Sequence, residues 1–335
     1  MKLEKTTSIS DRSLCKNMVY SELCASMSGL YFGFDQLPSI NSCVLSQGTF
    51  DGVHKGHQKV LQSLVDTART LNLPSVLLTF HPHPRSVVKT HTDKIELINS
   101  IEEKAERILN IGVDYVLVLE FTTEISQLSP EQFVTEILIS KLNIKNILVG
   151  YDHRFGKNRS GGFQELLQLS SSYNFNVEEI KAKEIDEIVI SSTQIRTYLK
   201  NGDVEKANDL LGYHYPITGI VIHGNKNGRT LGFPTANISI TEKDKLTPKT
   251  GAYVGHTVVN GKSYPSMINI GYRPTIDGSN LSIESHLIGV DLDLYDQTIQ
   301  IQLIDFLRDE IKFNSLDQLK DQLNKDKQKV LEILV

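Results

Sequence analysis

The chain has few cysteines, no long apolar run and no excess of positive charge, and each scarcity removes a class of protein. Cysteine occurs three times in 335 residues, at Cys15, Cys24 and Cys43, an odd number confined to the first 43 positions. No disulfide framework or cysteine-based zinc site follows, and a reducing, cytoplasmic setting is the expectation. No apolar run approaches the ~20 residues that a membrane-spanning helix needs, so no membrane partner is expected. The formal net charge of −5 argues against a broad nucleic-acid surface, because phosphate contacts demand a basic face. It leaves room for a local phosphate pocket. The opening residues hold no continuous apolar core of a secretory signal. Residues 1–28 are expected to be a poorly ordered extension, with Met18 and Met27 as alternative starts.

The length exceeds what one small core needs and suggests two domains. Between about Leu30 and Leu211, short apolar runs alternate with amphipathic stretches. Strands are expected at Cys43–Ser46, Val76–Phe80, Tyr115–Leu119, Ile147–Gly150 and Val177–Ile180, with helices at 58–71, 100–111 and 129–141. This alternation predicts a doubly wound parallel sheet, with ligands at the C-terminal strand ends. After residue 212 the texture changes to short alternating segments separated by Gly, Asn, Pro and Asp, which predicts a small antiparallel barrel or sandwich. Asn260-Gly261 marks a tight hairpin turn, and a final helix starts at Ser315-Leu316-Asp317-Gln318. The expected organisation is therefore an extension over 1–28, an α/β domain over 29–211 and a β domain with a terminal helix over 212–335.

The chemistry concentrates in a few stretches. Gly48-Thr49-Phe50-Asp51-Gly52-Val53-His54-Lys55-Gly56-His57 joins an apolar strand to a helix whose face is Val60, Leu61, Leu64, Val65, Ala68 and Leu71. A glycine-bearing turn at a helix N-terminus points free N–H groups and the helix dipole at an anion. Two imidazoles there can donate to a phosphate whose charge grows during reaction. The plain alternative is a turn with surface histidines. Thr79-Phe80-His81-Pro82-His83-Pro84 adds two more histidines, which raises zinc as an alternative, although the spacing fits no usual zinc site. Val149-Gly150-Tyr151-Asp152-His153-Arg154-Phe155-Gly156 ends another strand. Ser191-Ser192-Thr193-Gln194-Ile195-Arg196 puts a capping hydroxyl and a guanidinium at one helix N-terminus, a second anion clamp.

Downstream, Gly228-Arg229 leads to Leu231-Gly232-Phe233-Pro234-Thr235-Ala236-Asn237. The hydroxyl and amide of that turn are hard-oxygen donors suited to Mg²⁺ on a nucleotide, and turn formation alone is the alternative reading. In an alternating strand Glu284 and His286 share one face, where a carboxylate can act as a general base.

The four N-terminal stretches together resemble the adenylyltransferase domain of bacterial bifunctional riboflavin kinase/FAD synthetases, within the HxGH nucleotidylyltransferase superfamily. That resemblance implies a Rossmann-like domain in which His54 and His57 bind the ATP phosphates and stabilise the transition state. It implies that Ser191, Ser192, Thr193 and Arg196 clamp the triphosphate, that Gly48, Phe50, Asp51 and Gly52 line the ATP site, and that Asp152 and Phe155 help seat the flavin. The second half resembles riboflavin kinase through Pro234-Thr235-Ala236-Asn237, Glu284 and the 306–313 segment. By that likeness Gly228 and Arg229 bind ATP, Thr235 and Asn237 hold its Mg²⁺, and Glu284 activates the riboflavin 5′-hydroxyl. Arg308 and Phe313 would lie on the flavin side. The implied substrates are riboflavin, FMN and ATP, and the implied products FMN and then FAD. Two departures stand out: Asp296 replaces a usual glycine at a turn, and His153 a usual aromatic. An adenylyltransferase for another phosphorylated substrate and a non-catalytic flavin-binding regulator are the rivals, and oligomeric state is left open.

Overall fold

The computed structural model describes residues 27–88, 95–151, 153–180, 190–224, 227–275 and 278–334. Asp152 and nearly all of the expected extension at 1–28 lie outside the described residues. Two compact units emerge, one within Met1–Ile95 and Lys104–Val189, the other formed by Glu96–Glu103 and Ile190–Val335.

The first unit is built on a six-stranded sheet: β1 (Leu30–Phe32), β2 (Cys43–Gln47), β3 (Ser75–His81), β4 (Tyr115–Glu120), β5 (Ile144–Gly150) and β6 (Asn176–Ile180). The order is β1-β4-β3-β2-β5-β6 and every pairing is parallel. All of β2 is buried, as a central strand covered on both faces must be. Cys43 and Leu45 point into a cluster with Phe133, Val134, Ile137 and Leu166. These come from α3 (Pro130–Gln132, continuing as a π-helical segment over Phe133–Ile139) and α4 (Phe163–Tyr173). α1 (Lys55–Leu71) packs on β2, β3 and β5 with Val60, Leu61, Leu64, Val65 and Ala68 buried. Leu71, expected on that face, is 44% exposed, because the left-handed Asn72 ends the helix just beyond it. The α3 start is the expected capping box: Ser129 Oγ accepts from the Gln132 N–H, and the Gln132 side chain accepts from the Ser129 N–H.

From β2 the chain winds outward through β3 to β4, then returns to the other side of β2 as β5. The C-terminal ends of β2 and β5 therefore flank the point where strand order reverses, the ligand crevice of open parallel sheets.

The second unit is a closed antiparallel barrel, ordered β10-β11-β8-β7-β12-β9. Its strands are β7 (Tyr215–Ile222), β8 (Ala236–Ile240), β9 (Gly251–Val259), β10 (Lys262–Thr275), β11 (Gly278–Leu287) and β12 (Thr298–Arg308). Val259 pairs with Lys262 across the Asn260-Gly261 turn, whose two residues have φ of 48° and 77°, the left-handed pair that a tight hairpin requires. The terminal helix α7 (Leu316–Leu334) covers β9 and β10 from outside through Val330, Met267, Val254 and Phe233.

Packing divides the chain differently from its texture. Ile195 and Leu199 of α5 (Ser192–Asn201) and Val204 and Leu211 of α6 (Val204–Leu211) share one core with Tyr215, Ile217 and Leu303 of the barrel. Residues 190–211 thus group with the barrel. So does the first turn of α2 (Ile101–Ile111), where buried Glu103 pairs with buried Lys245 and accepts from the Thr218 N–H and hydroxyl. Among the described residues, β1, α4, α6 and β8 escaped the sequence reading, as did the short helices Pro84–Val87, Thr123–Gln127 and Asn227–Thr230.

Candidate functional sites

The turn after β2 is held in a shape that ordinary residues avoid. Phe50, Gly52 and Val53 have φ of 45°, 88° and 35°. For a bulky or β-branched residue the left-handed region costs about 1–3 kcal/mol, a strain that accumulates at functional sites. Gly48 sits close under the Phe50 ring: a Cβ there would lie 3.0 Å from it, so the ring would have to give by a few tenths of an ångström. Phe50, Asp51 and Val53 are buried beneath the turn.

His54 is the N-cap of α1, and its Nδ1 accepts from the His57 N–H at 3.3 Å. An accepting Nδ1 puts the proton of the neutral ring on Nε2, the nitrogen left to donate outward. The two imidazoles stack with centroids 3.6 Å apart, and Phe50 packs 4.9 Å from His57. Burial pushes His54 down to about 4, partly offset by its backbone hydrogen bond. Burial, then the charges of His54 and Lys104, hold His57 well below the usual imidazole range. Both are therefore neutral donors at physiological pH. His57 Nδ1 is buried without a hydrogen-bond partner, the kind of orphan that a ligand satisfies.

At the neighbouring strand end, His153 Nε2 lies 3.0 Å from Gln47 Nε2. Burial and the adjacent Arg159 and Arg154 lower His153 to about 4. Phe155 is 7% exposed and packs against Phe133 within the α/β core, so its ring supports the loop from beneath. Ser191 caps α5 by accepting from the Gln194 N–H at 3.2 Å, with Ser192 and Thr193 opening the helix. Arg196 donates through Nε to the Glu96 carbonyl at 2.8 Å. The histidines belong to the first unit and the 191–196 clamp to the second.

In the barrel, Asn237 is on β8 and not in a turn, directly opposite Glu284 of β11. Thr235 Oγ1 donates to Glu284 Oε2 at 2.9 Å, and Ser282 Oγ to Oε1 at 3.3 Å. Ser285 turns into the barrel to meet Thr257, so by alternation Glu284 and His286 share the outer face, as expected. His286 Nδ1 bonds the Pro234 carbonyl at 2.7 Å and steadies the Pro-Thr segment. Glycine is obligatory at Gly228, where a Cβ would sit 2.2 Å from the Phe233 carbonyl oxygen; at Gly224 a Cβ would meet the Asn237 side-chain amide at 2.3 Å and displace it. A cleft of about 260 Å³ opens here, lined by Arg229, Thr235, Asp291, Asp293 and Tyr295 among others. Thr235, Asn237 and Glu284 can each offer an oxygen, a donor set that fits Mg²⁺.

Arg308 is tied to the terminal helix. Its guanidinium grips buried Asp326 of α7, with Nη2 to Oδ2 at 2.7 Å and Nε to Oδ2 at 3.0 Å. That fork fastens the terminal helix to β12. Phe313 lies half-buried between β12 and α7. Among the described residues no group of three or more His, Cys, Asp and Glu gathers as for a metal ion. Nor is any described helix long and apolar enough to cross a membrane.

Lys104 went unmarked by motif or spacing, yet its buried ammonium donates to the Thr49 carbonyl and to Thr79 Oγ1. A legible signal existed. Lys104 falls on the apolar stripe Ile101, Ala105, Ile108, all buried, where a lysine is out of place.

Comparison with known proteins assigns the chain. The model of the FAD synthetase family matches residues 37–194, and that of the riboflavin kinase family residues 211–334. A bifunctional riboflavin kinase/FMN adenylyltransferase of Listeria monocytogenes is 39% identical over 88% of this chain and 93% of its own length. The Escherichia coli K12 protein of the same description is 37% identical over 85% and 90%. A crystal structure from Streptococcus pneumoniae, described as a macrolide-efflux protein, superposes with a TM-score of 0.80 at 30% identity, covering 89% of this chain and 97% of that one. The chain belongs to the bifunctional riboflavin kinase/FMN adenylyltransferase family.

Proposed function

We propose that this chain makes FAD from riboflavin in two ATP-dependent steps, one at each candidate site. At the barrel, Glu284 accepts the proton of the riboflavin 5′-hydroxyl as its oxygen attacks the γ-phosphorus of ATP, giving FMN and ADP. At the β2–α1 turn, the FMN phosphate attacks the α-phosphorus of a second ATP in line, and pyrophosphate leaves. No covalent enzyme intermediate is needed, so positioning and charge stabilisation carry the step. His54 offers Nε2–H to the phosphates, His57 stands beside it, and Gly48–Gly52 brings backbone close. Ser191, Ser192, Thr193 and Arg196 form the second clamp on the triphosphate. Gly228 and Arg229 cradle the kinase ATP, while Asp152 and Phe313 remain flavin-side residues.

Thr235 and Asn237 would hold Mg²⁺ with the kinase ATP, their oxygens being the hard ligands that the ion prefers. The ion, when bound, offsets triphosphate charge. A cytoplasmic setting, which suits the free, buried thiol of Cys43, completes the reading.

The observation that carries it is the hydrogen-bonded Thr235–Glu284 pair beside Asn237, because a base poised among hard-oxygen donors suits phosphoryl transfer to a hydroxyl. Purified protein given riboflavin and ATP–Mg²⁺ should yield FMN and then FAD on a flavin chromatogram followed over time. No new flavin under saturating substrate would refute the reading.

A further inference from the structure

Lys104 is buried, 8% exposed, and its ammonium joins two segments far apart in sequence: the Thr49 carbonyl at 3.0 Å and Thr79 Oγ1 at 3.1 Å. The Thr79 hydroxyl also lies 3.5 Å from the Thr49 carbonyl, so the three groups form one knot. Burying an ammonium costs several kcal/mol unless it is well paired. Two of its hydrogen bonds go to the Thr49 carbonyl and the Thr79 hydroxyl, so the ammonium ties the turn after β2 to the end of β3.

Thr49 precedes Phe50, the first left-handed residue of the turn. In a trans peptide the C=O and the following N–H point in opposite directions. Holding the Thr49 carbonyl on Lys104 therefore turns the Phe50 N–H the other way and fixes the entry to the strained stretch. Thr79 lies at the C-terminal end of β3, next to β2, so the knot anchors a flexible glycine turn to the rigid sheet. Both imidazoles of the turn are neutral, so a fixed positive charge nearby favours an anionic ligand without relying on their protonation.

We propose that Lys104 is a positioning residue for adenylyl transfer: its ammonium bolts the Gly48–Gly52 turn to the end of β3 and holds the turn in the shape that meets the triphosphate. The inference rests on the adenylyltransferase reading of that turn. It goes beyond it in naming a residue outside every motif.

The test uses the full chain and two variants. Lys104→Met keeps the apolar stem and removes the charge, while Thr79→Val removes one anchor and keeps the charge. Expected for Lys104→Met is a fall in kcat for FAD formation from FMN of about 30- to 100-fold, the size of effect that slight misplacement produces. KM for ATP should change less than about threefold, and riboflavin phosphorylation should stay within about twofold of wild type, since it reports on a fold that keeps Glu103 intact. Thr79→Val should lower the same kcat by about 5- to 10-fold. An independent arm follows the His57 imidazole by NMR titration: its midpoint should rise in Lys104→Met and stay put in Thr79→Val. Unchanged kcat in Lys104→Met overturns the proposal, as does equal loss of both activities, which would mark a general folding role. If wild type itself makes no FAD, the adenylyltransferase reading has failed. An unmoved His57 midpoint in Lys104→Met then sinks the Lys104 proposal separately.

Discussion

The two candidate sites solve the same problem, holding a triphosphate, with opposite economies. The histidine-bearing turn of the N-terminal site is contiguous: ten residues supply glycines, imidazoles and a helix N-terminus. It is also buried and strained, with Phe50 and Val53 in the left-handed region and imidazoles stripped of water. The barrel site is assembled across strands, with Thr235 just before β8, Asn237 on it, Glu284 on β11 and Arg229 in a short helix between β7 and β8. Its side chains stand on the outer face of a rigid closed sheet, where cross-strand register alone sets Asn237 against Glu284. A flexible turn needs strain and a buried anchor to hold its shape, whereas a barrel wall needs only register.

The largest effects should separate the sites. Glu284→Gln removes the base but keeps the Thr235 contact geometry, so riboflavin phosphorylation should fall by about 10²- to 10⁴-fold while FAD formation from supplied FMN persists. His57→Ala should do the reverse, abolishing FAD and sparing FMN. Both are read by product analysis in separate single-step assays. If either variant lost both activities equally, the assignment of one reaction per site would be wrong.

Next in size is the clamp on the terminal helix. Asp326→Asn leaves Arg308 facing a neutral amide in a mostly buried place, a loss of about 3 kcal/mol, seen as a lower denaturation midpoint for the barrel. Arg308→Lys, which cannot fork, should lose a similar part of that stability. With denaturation corrected for, riboflavin KM should be unaltered in both. A KM that rose in Arg308→Lys alone would return the guanidinium to the flavin.

Acid should find the N-terminal unit first. His54 and His153 are held near 4 when folded, against about 6.5 unfolded, so below 6.5 the unfolded chain binds the proton and the folded one does not. Stability is then full above pH ~6.5 and declines as pH falls toward 4, by about 2 kcal/mol per histidine at pH 5. Urea midpoints at pH 7 and 5, followed by a probe in each unit, would show it. A barrel that lost as much as the α/β unit would contradict the contrast.

Much of this was legible because local chemistry was consistent with the fold. The burial of β2, the Ser129 box, the Ser191 cap, the Asn260-Gly261 turn and both motif-bearing loops follow from short-range pattern. Beyond reach were features decided by partners distant in the chain. β1 is three residues long and owes its existence to β4. β8 reads as a turn because Pro234 precedes it, and only its neighbours β7 and β11 make it a strand. Arg308 was assigned by position in a motif, while Asp326, eighteen residues on, decides what it does. The place of Lys104 on an apolar stripe was legible, but its partners were not: Thr49 and Thr79 come to it through the sheet.

The smallest expected effect concerns strain that serves no chemistry. Asp296 adopts φ 61°; its N–H donates to the Val221 carbonyl at 3.0 Å, and the Gln297 N–H to the Leu294 carbonyl at 3.1 Å. Replacement by glycine relieves the left-handed cost, which is modest for Asp, but adds freedom to the unfolded chain worth about 0.4–1 kcal/mol. The two nearly cancel, so Asp296→Gly should leave the thermal midpoint of the barrel within about 2 °C of wild type. Asp296→Val has no such tolerance and should cost about 1–2 kcal/mol. Equal midpoints for the Gly and Val variants would mean that backbone conformation at this turn is not what limits it, and that the barrel is even less dependent on local strain than its contrast with the Phe50–Val53 turn implies.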